Sequence, residues 1–247
     1  MYMRFRFELP WLSLWTGRID DPELMDNQGI APNIVRNNLN DLRRVNQWLG
    51  GVKLTIEGLE RLTADLKPGD ELTILDVATG AVDIPAQLIP WAERRGLKPR
   101  VVASDINPES LAIAAKETPQ EINLAVADGR KLPFLDNSFD IVFCSLALHH
   151  LAPEDAVAML SEMNRIARRG VVINDLVRCW HGYAGAWLFS RVGTPPGSLG
   201  RHDAPLSVRR AYTRNEMTSL AKQAGFSRGV FDSFLGYRVA MTVTSSP

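Results

Sequence analysis

Cysteine is nearly missing from the chain. Two residues in 247, Cys144 and Cys179, cannot build a disulfide framework and show no C-x-x-C spacing. That excludes a disulfide-stapled scaffold, a zinc ribbon and a dithiol redox centre, and makes a reducing cytoplasm the expected compartment. Excess charge is missing too: Lys+Arg and Asp+Glu both number 28, so the whole-chain field gives no pull toward a polyanion and no nucleic-acid partner is expected. Paired arginines at 43–44, 94–95 and 168–169 read as solvated helix faces. No apolar run approaches the length of a membrane span. The basic, aromatic stretch at 1–12 is broken by Glu8 and Pro10 before a signal-peptide apolar region could form.

What is present is an ordinary globular composition, 45% hydrophobic and 23% charged, at a length that suits one α/β domain with an added segment. Residues 1–68 read as a helical N-terminal lid segment. Asp20-Asp-Pro-Glu23 opens one helix, 33–49 carries another, and Gly50-Gly51 stops it. From residue 69 to 247, apolar or β-branched runs alternate with helical patterns, the signature of βαβ units and a parallel sheet. Strands are predicted near 72–77, 100–104, 122–127, 139–145 and 171–174. Helices are predicted at 84–95, 108–117 and 153–168, with prolines near their starts and Gly96 and Gly170 in stop positions.

After Asp175 a Gly/Pro-bearing stretch at 176–211 is too long for a simple connection and reads as a functional insertion, with helix around 182–192. Thr213-Arg-Asn-Glu216 is a capping-box pattern opening a last helix that Gly225 ends. Residues 226–234 and 237–244 close the chain as an antiparallel pair.

The segment Leu75-Asp-Val-Ala-Thr-Gly80-Ala-Val-Asp-Ile-Pro85 follows one strand and precedes a helix, the place where open α/β sheets bind nucleotides. Asp105 follows the second strand in Val-Val-Ala-Ser-Asp-Ile-Asn-Pro, and Asp128 the third in Leu-Ala-Val-Ala-Asp-Gly-Arg-Lys-Leu-Pro-Phe. With Asp76, three acids sit at three successive strand ends on one sheet edge. A carboxylate at the second can accept both hydroxyls of a ribose, and one at the third an adenine amino group.

These residues, together with Asp136-Asn-Ser-Phe-Asp140-Ile-Val and Leu148-His-His-Leu151, resemble class I S-adenosylmethionine (SAM) dependent methyltransferases of the quinone-biosynthesis and small-molecule type. The resemblance is close over 72–175 and loose elsewhere. It implies a Rossmann-like α/β fold with a mostly parallel sheet of seven strands whose last is antiparallel. It also implies a SAM site, with S-adenosylhomocysteine as product. Asp76 would organise the methionine end, with Ala78, Thr79 and Gly80 beside it. Asp105 and Ile106 would hold the ribose side, Asp128, Gly129 and Arg130 would frame the adenine, and Ser145 would line the site.

One departure is internal to the motif. The family carries glycines through this turn, and here Ala78 and Val82 stand where two of them would be. A β-branched residue resists both positive φ and close backbone approach, so either the turn is reshaped or cofactor affinity is reduced. Two other readings compete. A fold that no longer transfers methyl groups would act as a binding or assembly partner. A dinucleotide-dependent oxidoreductase would also place an acid after the second strand, but G-x-G-x-x-G is absent.

Methyl transfer from a sulfonium is an in-line displacement that needs alignment and, for a hydroxyl acceptor, a base; no metal is obligatory and none is expected. His149 and His150 follow the fourth strand and Asp175 follows the fifth, so adjacent parallel strands would deliver them to the cofactor edge. In the resembling family similar positions form a base and its orienter. The alternative is that one or both histidines shape the turn before Pro153, and that Asp175 caps local backbone. Cys144 reads as core rather than nucleophile.

Arg201-His-Asp203 and Ser207-Val-Arg-Arg210-Ala-Tyr212 form a polar cluster in the insertion, read mainly as loop anchors. Trp11, Trp15, Trp48, Trp180 and Trp187 lie in the prologue and the insertion. They would form an aromatic lid over a small-molecule pocket, or else a satellite core or the contact of a homodimer. The expected reaction is methylation of oxygen, or secondarily carbon, of a small hydrophobic or phenolic metabolite.

Overall fold

The structure, a computed structural model, describes residues 17–27, 29–193, 198–227 and 229–244. Trp11, Trp15 and the basic stretch at 1–12 lie outside the described residues. Among those described, the chain runs α1 (Pro32–Trp48), α2 (Gly51–Leu62), β1 (Glu71–Val77), α3 (Asp83–Arg94), β2 (Lys98–Asp105), α4 (Pro108–Ala114) and β3 (Ile122–Val126). It continues through β4 (Phe139–Ser145), α5 (Pro153–Ile166), β5 (Ala167–Leu176), α6 (Trp180–Val192), α7 (Gly200–Arg210), α8 (Arg214–Gln223), β6 (Gly229–Phe234) and β7 (Arg238–Thr244). No described helix is long and apolar enough to cross a membrane.

The seven strands form one sheet in the order β3-β2-β1-β4-β5-β7-β6. The first five are mutually parallel, and β7 runs antiparallel to both β5 and β6. This is the mixed sheet expected from the resemblance. Strand order reverses beside β1, which pairs β2 on one side and β4 on the other, so the crevice beyond the C-terminal ends of β1 and β4 is a topological switch point.

Alternation along the strands sorts two cores. Leu72 and Ile74 of β1 join Ile141 and Phe143 of β4 under α2 and α3. Leu75 and Val77 join Val142, Cys144, Val171 and Ile173 under α5 and α8. Cys144 is therefore core, as expected. Helix α2 belongs to the sheet rather than to a separate prologue. Gly58 brings it so close that a Cβ there would meet Val172 and Thr242 side chains at 2.8 and 2.9 Å.

Local chemistry explains the helix starts. Pro32, Pro108 and Pro153 occupy first-turn positions, and the Asn107 side chain accepts from the backbone N–H groups of Glu109 and Ser110. The capping box forms in full: Thr213 N–H donates to Glu216 Oε2 at 2.7 Å, and Glu216 N–H to Thr213 Oγ1 at 3.3 Å.

Several boundaries differ from expectation. Gly170 is no helix stop: α5 ends at Ile166, and Gly170 lies inside a longer β5, packed against the backbone carbonyl of Val243 and the side chain of Leu62. The sequence at 20–23 opens only a single 3₁₀ turn, Leu24–Asp26. Helix α4 stops at Ala114, short of the predicted 117. Asp128 lies two residues beyond the end of β3. The insertion holds a second helix, α7, whose apolar positions are too few to announce it. Arg168 and Arg169 lie on β5, paired to Asp140 and Asp65, and not on a helix face.

Candidate functional site

A cavity of about 1160 Å³ opens at the switch point. Its floor is the loop after β1 and the residues following β2, β3 and β4. Its roof comes from residues 23–49 of the N-terminal segment and residues 181–208 of the insertion. Of the candidate residues, Ala78, Thr79, Gly80, Asp105, Ile106, Asp128, Gly129, Arg130, Ser145, His149 and His150 all line it. Asp76 and Asp175 lie just behind this wall, both almost fully buried. The volume leaves room for two small molecules side by side.

One end is built by the three acids. The Asp76 side chain accepts the hydroxyl of Thr79 on Oδ2 at 2.6 Å, while its Oδ1 is buried with no partner. Burial pushes the Asp76 carboxyl well above the usual carboxylate range, and the nearby Asp83 and Asp105 add to the effect against the Thr79 hydrogen bond. Asp105 is organised by backbone: Gly80 N–H donates to Oδ2 and Asn107 N–H to Oδ1, both at 2.9 Å. Each oxygen keeps acceptor capacity toward the cavity.

Asp128 is less free than expected. Arg130 binds it through Nη2 at 2.8 Å and Nε at 3.0 Å, and that hydrogen bonding holds its carboxyl below the usual range. Gly129 is set by packing, because a Cβ there would meet Val77 at 2.9 Å and Met159 at 3.2 Å.

The connecting loop takes the glycine-like conformation despite its sequence. Ala78, Gly80 and Val82 all have positive φ, at 58°, 54° and 56°. The turn is not reshaped around Val82. Its side chain is buried among Val101, Ala103, Ala114 and Ile122, and that burial offsets a strain of about 1–3 kcal/mol.

At the other end His149 and Asp175 meet. His149 Nδ1 lies 2.7 Å from Asp175 Oδ1, and His149 N–H donates to Oδ2 at 3.1 Å. Burial alone would raise the Asp175 carboxyl, but His149 outweighs it and holds it below the usual range. His150 Nδ1 lies 3.1 Å from Asp26 Oδ1, and Arg210 Nη1 donates to Asp26 Oδ2 at 2.8 Å. Burial would lower the His150 imidazole, yet Asp26 and Glu23 raise it overall. Glu23, buried, receives Ser207 Oγ at 2.7 Å and stands 3.6 Å from His149 Nε2.

Sequence reasoning missed Glu23, Asp26, Asn46 and Arg238. Arg238 is fully buried at the start of β7. It donates to Asn174 Oδ1 at 2.8 Å, Asn46 Oδ1 at 2.7 Å and Ser145 Oγ at 2.9 Å, and burial lowers its pKa to about 10. A cation opening an otherwise apolar strand, Arg-Val-Ala-Met, was the available signal. Glu23 and Asp26 gave none, since an acidic turn reads as solvent-facing.

The insertion cluster proves to be anchorage. Asp203 accepts the backbone N–H groups of Leu24 at 2.9 Å and Met25 at 3.2 Å, and Arg210 donates to His150 O at 2.9 Å. The aromatic lid is not there among the described residues. Trp48, Trp180 and Trp187 are 73%, 67% and 45% exposed and do not line the cavity, whose roof mixes aliphatic residues such as Val35, Leu39 and Val45 with polar ones such as Asn38 and Asn46, and takes Phe189 from α6.

Comparison with known proteins places the chain in context. A family model described as a methyltransferase domain matches residues 75–173. The ubiquinone/menaquinone biosynthesis C-methyltransferase UbiE of Neisseria meningitidis serogroup C is 32% identical over 177 residues, 66% of this chain and 69% of that protein. Its counterpart in Stenotrophomonas maltophilia is 28% identical over 190 residues, covering 70% and 72%. Among solved structures, a SAM-dependent methyltransferase from Aquifex aeolicus superposes with a TM-score of 0.61 at 20% identity, covering 88% of this chain and all of that one. Human N-acetylserotonin methyltransferase in complex with SAM gives 0.60 at 17%, covering 88% and 57%.

Proposed function

The chain belongs to the class I SAM-dependent methyltransferases, and from that premise we propose that it methylates a carbon of a small, apolar acceptor activated by a ring hydroxyl, a phenol or quinol. When bound, SAM supplies a sulfonium-activated methyl group and leaves as the neutral thioether.

The residues fit such a ligand at its methionine end. Asp76 Oδ1 and Arg238 Nη1 are buried polar atoms with no partner, of opposite charge type, and both feel the charge of Asp83. An α-ammonium and an α-carboxylate would satisfy one each. Asp105 would accept the ribose hydroxyls, exposed Ile106 would cover one face of the adenine, and the Asp128–Arg130 pair would border its edge.

The observation that carries the acceptor reading is the His149–Asp175 pair. The Asp175 carboxylate fixes the proton on His149 Nδ1, which leaves Nε2, 3.6 Å from Glu23 Oε1 in the cavity wall, as a base. Taking a ring hydroxyl proton there would make the oxygen, and by resonance its ortho carbon, nucleophilic toward the methyl group that SAM would supply. The ring would then return a proton to solvent and regain its aromaticity. Carbon rather than oxygen is favoured by the C-methyltransferase relatives, whereas the dyad alone would serve either atom. The apolar part of the roof, with Ile30, Leu39, Val45 and Phe189, suits an apolar acceptor. The N-terminal segment and the insertion act as its cover, since both bond to the histidine turn.

The test is transfer from methyl-labelled SAM to a panel of alkylated phenols and quinols, with the methyl located by NMR. A ring-carbon product is expected. An exclusive methyl ether would overturn the choice of carbon, and SAM binding without transfer to any hydroxylated aromatic would sink the acceptor assignment.

A further inference from the structure

We infer that Glu23, His149 and His150 form a binding site for a divalent cation of zinc-like softness at the acceptor end of the cavity. The argument begins with the histidine tautomers. Each ring presents Nδ1 to a carboxylate, His149 to Asp175 at 2.7 Å and His150 to Asp26 at 3.1 Å. In neutral rings that pins the proton on Nδ1 and leaves Nε2 as a lone pair.

Both Nε2 atoms face the Glu23 carboxylate, at 3.6 Å and 3.9 Å. Those distances are too long for hydrogen bonds. The three ligand atoms nevertheless lie within 4.8 Å of one another. Three donor atoms are thus gathered around a small space that is mostly closed to solvent, with Glu23 and His149 buried and the two imidazole ring centroids 4.3 Å apart.

Around an ion at about 2.0–2.2 Å in tetrahedral geometry the ligand atoms lie about 3.3–3.6 Å apart, so Glu23 Oε1 and His149 Nε2 at 3.6 Å fit as they stand, while Glu23 Oε2 and His150 Nε2 at 3.9 Å would draw in slightly on binding. Charge points the same way. Glu23, Asp26 and Asp175 bring three carboxylates to this spot. Of the nearby arginines, Arg210 pairs with Asp26, while Arg18 is turned onto the carbonyls of His149 and Leu151 at 3.0 and 2.7 Å. Arg238 is near enough to Asp175 to feel its charge, which leaves Glu23 with no arginine or lysine partner among the described residues, and a bound cation would balance it.

The donor set selects the ion. Two imidazoles and one carboxylate suit zinc-like metals, whereas magnesium and calcium take all-oxygen sets. The Asp175–His149 and Asp26–His150 pairs are the outer carboxylates that orient metal-binding imidazoles. Three protein ligands leave at least one position open, and that position faces the cavity. An acceptor hydroxyl would bind there as its oxyanion, releasing its proton to solvent, so the ion takes over the task of free His149 Nε2. Use of the site in methyl transfer rests on the function proposed above; its occupancy by a metal does not. The inference departs from the expectation of no metal.

The experiment titrates chelator-treated full-length protein with Co²⁺ and follows its visible ligand-field absorption, alongside calorimetry with Zn²⁺. One equivalent and the intense bands of a low-coordinate nitrogen and oxygen site are expected, with affinity falling at least tenfold in Glu23→Gln and His150→Gln. Absence of the bands at a tenfold molar excess of Co²⁺, or bands unchanged in both variants, overturns the site. Should the variants fail to fold, zinc-edge X-ray absorption of the wild-type protein decides. A shell with two imidazoles and no sulfur supports the assignment. Sulfur in the shell would move the metal to Cys179 and His181, whose Sγ and Nε2 lie 3.5 Å apart, and overturn it. Chelated protein that transfers methyl as fast as the loaded protein removes the ion's proposed use while leaving the transferase reading intact. Metal binding without any methyl transfer sinks only the latter.

Discussion

Asp175 grips His149 twice, through the backbone N–H at 3.1 Å and the ring Nδ1 at 2.7 Å, so the turn and the imidazole are fixed by one buried carboxylate. Strand pairing makes this possible. Parallel β4 and β5 end side by side, and the histidine turn begins three residues after Ser145. The grip sets both the position of the imidazole and its tautomer.

Replacing Asp175 with Asn keeps the shape but removes the charge that orients the ring. Single-turnover methyl transfer should fall by about 10²–10⁴-fold, with SAM affinity changed by less than about twofold. A rate within about threefold of wild type would show that the pair only shapes the turn.

Asp76 sets binding against stability. Its folded-state pKa is raised above the unfolded value near 3.8, so the carboxyl destabilises the ligand-free fold increasingly as pH rises through and above that value. Asp76→Asn should therefore match wild-type stability at about pH 3.5 and exceed it at about pH 7. The same change should weaken SAM binding at neutral pH by at least about tenfold, because the ammonium loses its charged partner. Paired denaturant melts and calorimetry check both halves; a variant less stable than wild type at neutral pH would refute the first.

Val82 reverses the usual ranking of alanine and glycine. Val82→Ala gives up buried methyl groups yet keeps the left-handed backbone at φ 56°, and should cost about 1–3 kcal/mol. Val82→Gly loses one more methyl but relieves the strain, and should be at least as stable as the alanine variant. Thermal melts of the two variants check this, and a glycine variant clearly below alanine would mean that the loop is not strained.

Asp203 tests the cover. Its two oxygens hold the backbone N–H groups of Leu24 and Met25, which seats Glu23 above the histidines. Asp203→Ala should destabilise the protein by about 1–2 kcal/mol. It should also lower kcat with little change in SAM affinity. Equal loss of SAM affinity and kcat would instead indicate general disorder of the cavity.

The parallel sheet was legible in the sequence because strand and helix periods alternate without ambiguity from β1 to β5. The capping box at Thr213 and Glu216 was legible because it is local chemistry. Gly170 misled for an equally local reason: glycine after a helical pattern reads as a stop, whereas here its missing Cβ admits the Val243 backbone from a strand far along the chain. The tryptophans misled because aromatic character says that a residue could be buried and does not say on which helix face it lies.

The sequence by itself determined which acids stand at the ends of β1 and β2 and just beyond β3, and that two histidines follow β4, since the order of elements along the chain sets these positions. Only the tertiary structure decided that Glu23, Asp26 and Arg238 share their cavity. Each is far from the motifs in the chain and reaches them through folding of the N-terminal segment, or through the antiparallel insertion of β7 beside β5. Val82 shows the boundary between the two. Its identity argues against positive φ, and the buried contacts around it, contributed by β2, α4 and β3, hold it there nonetheless.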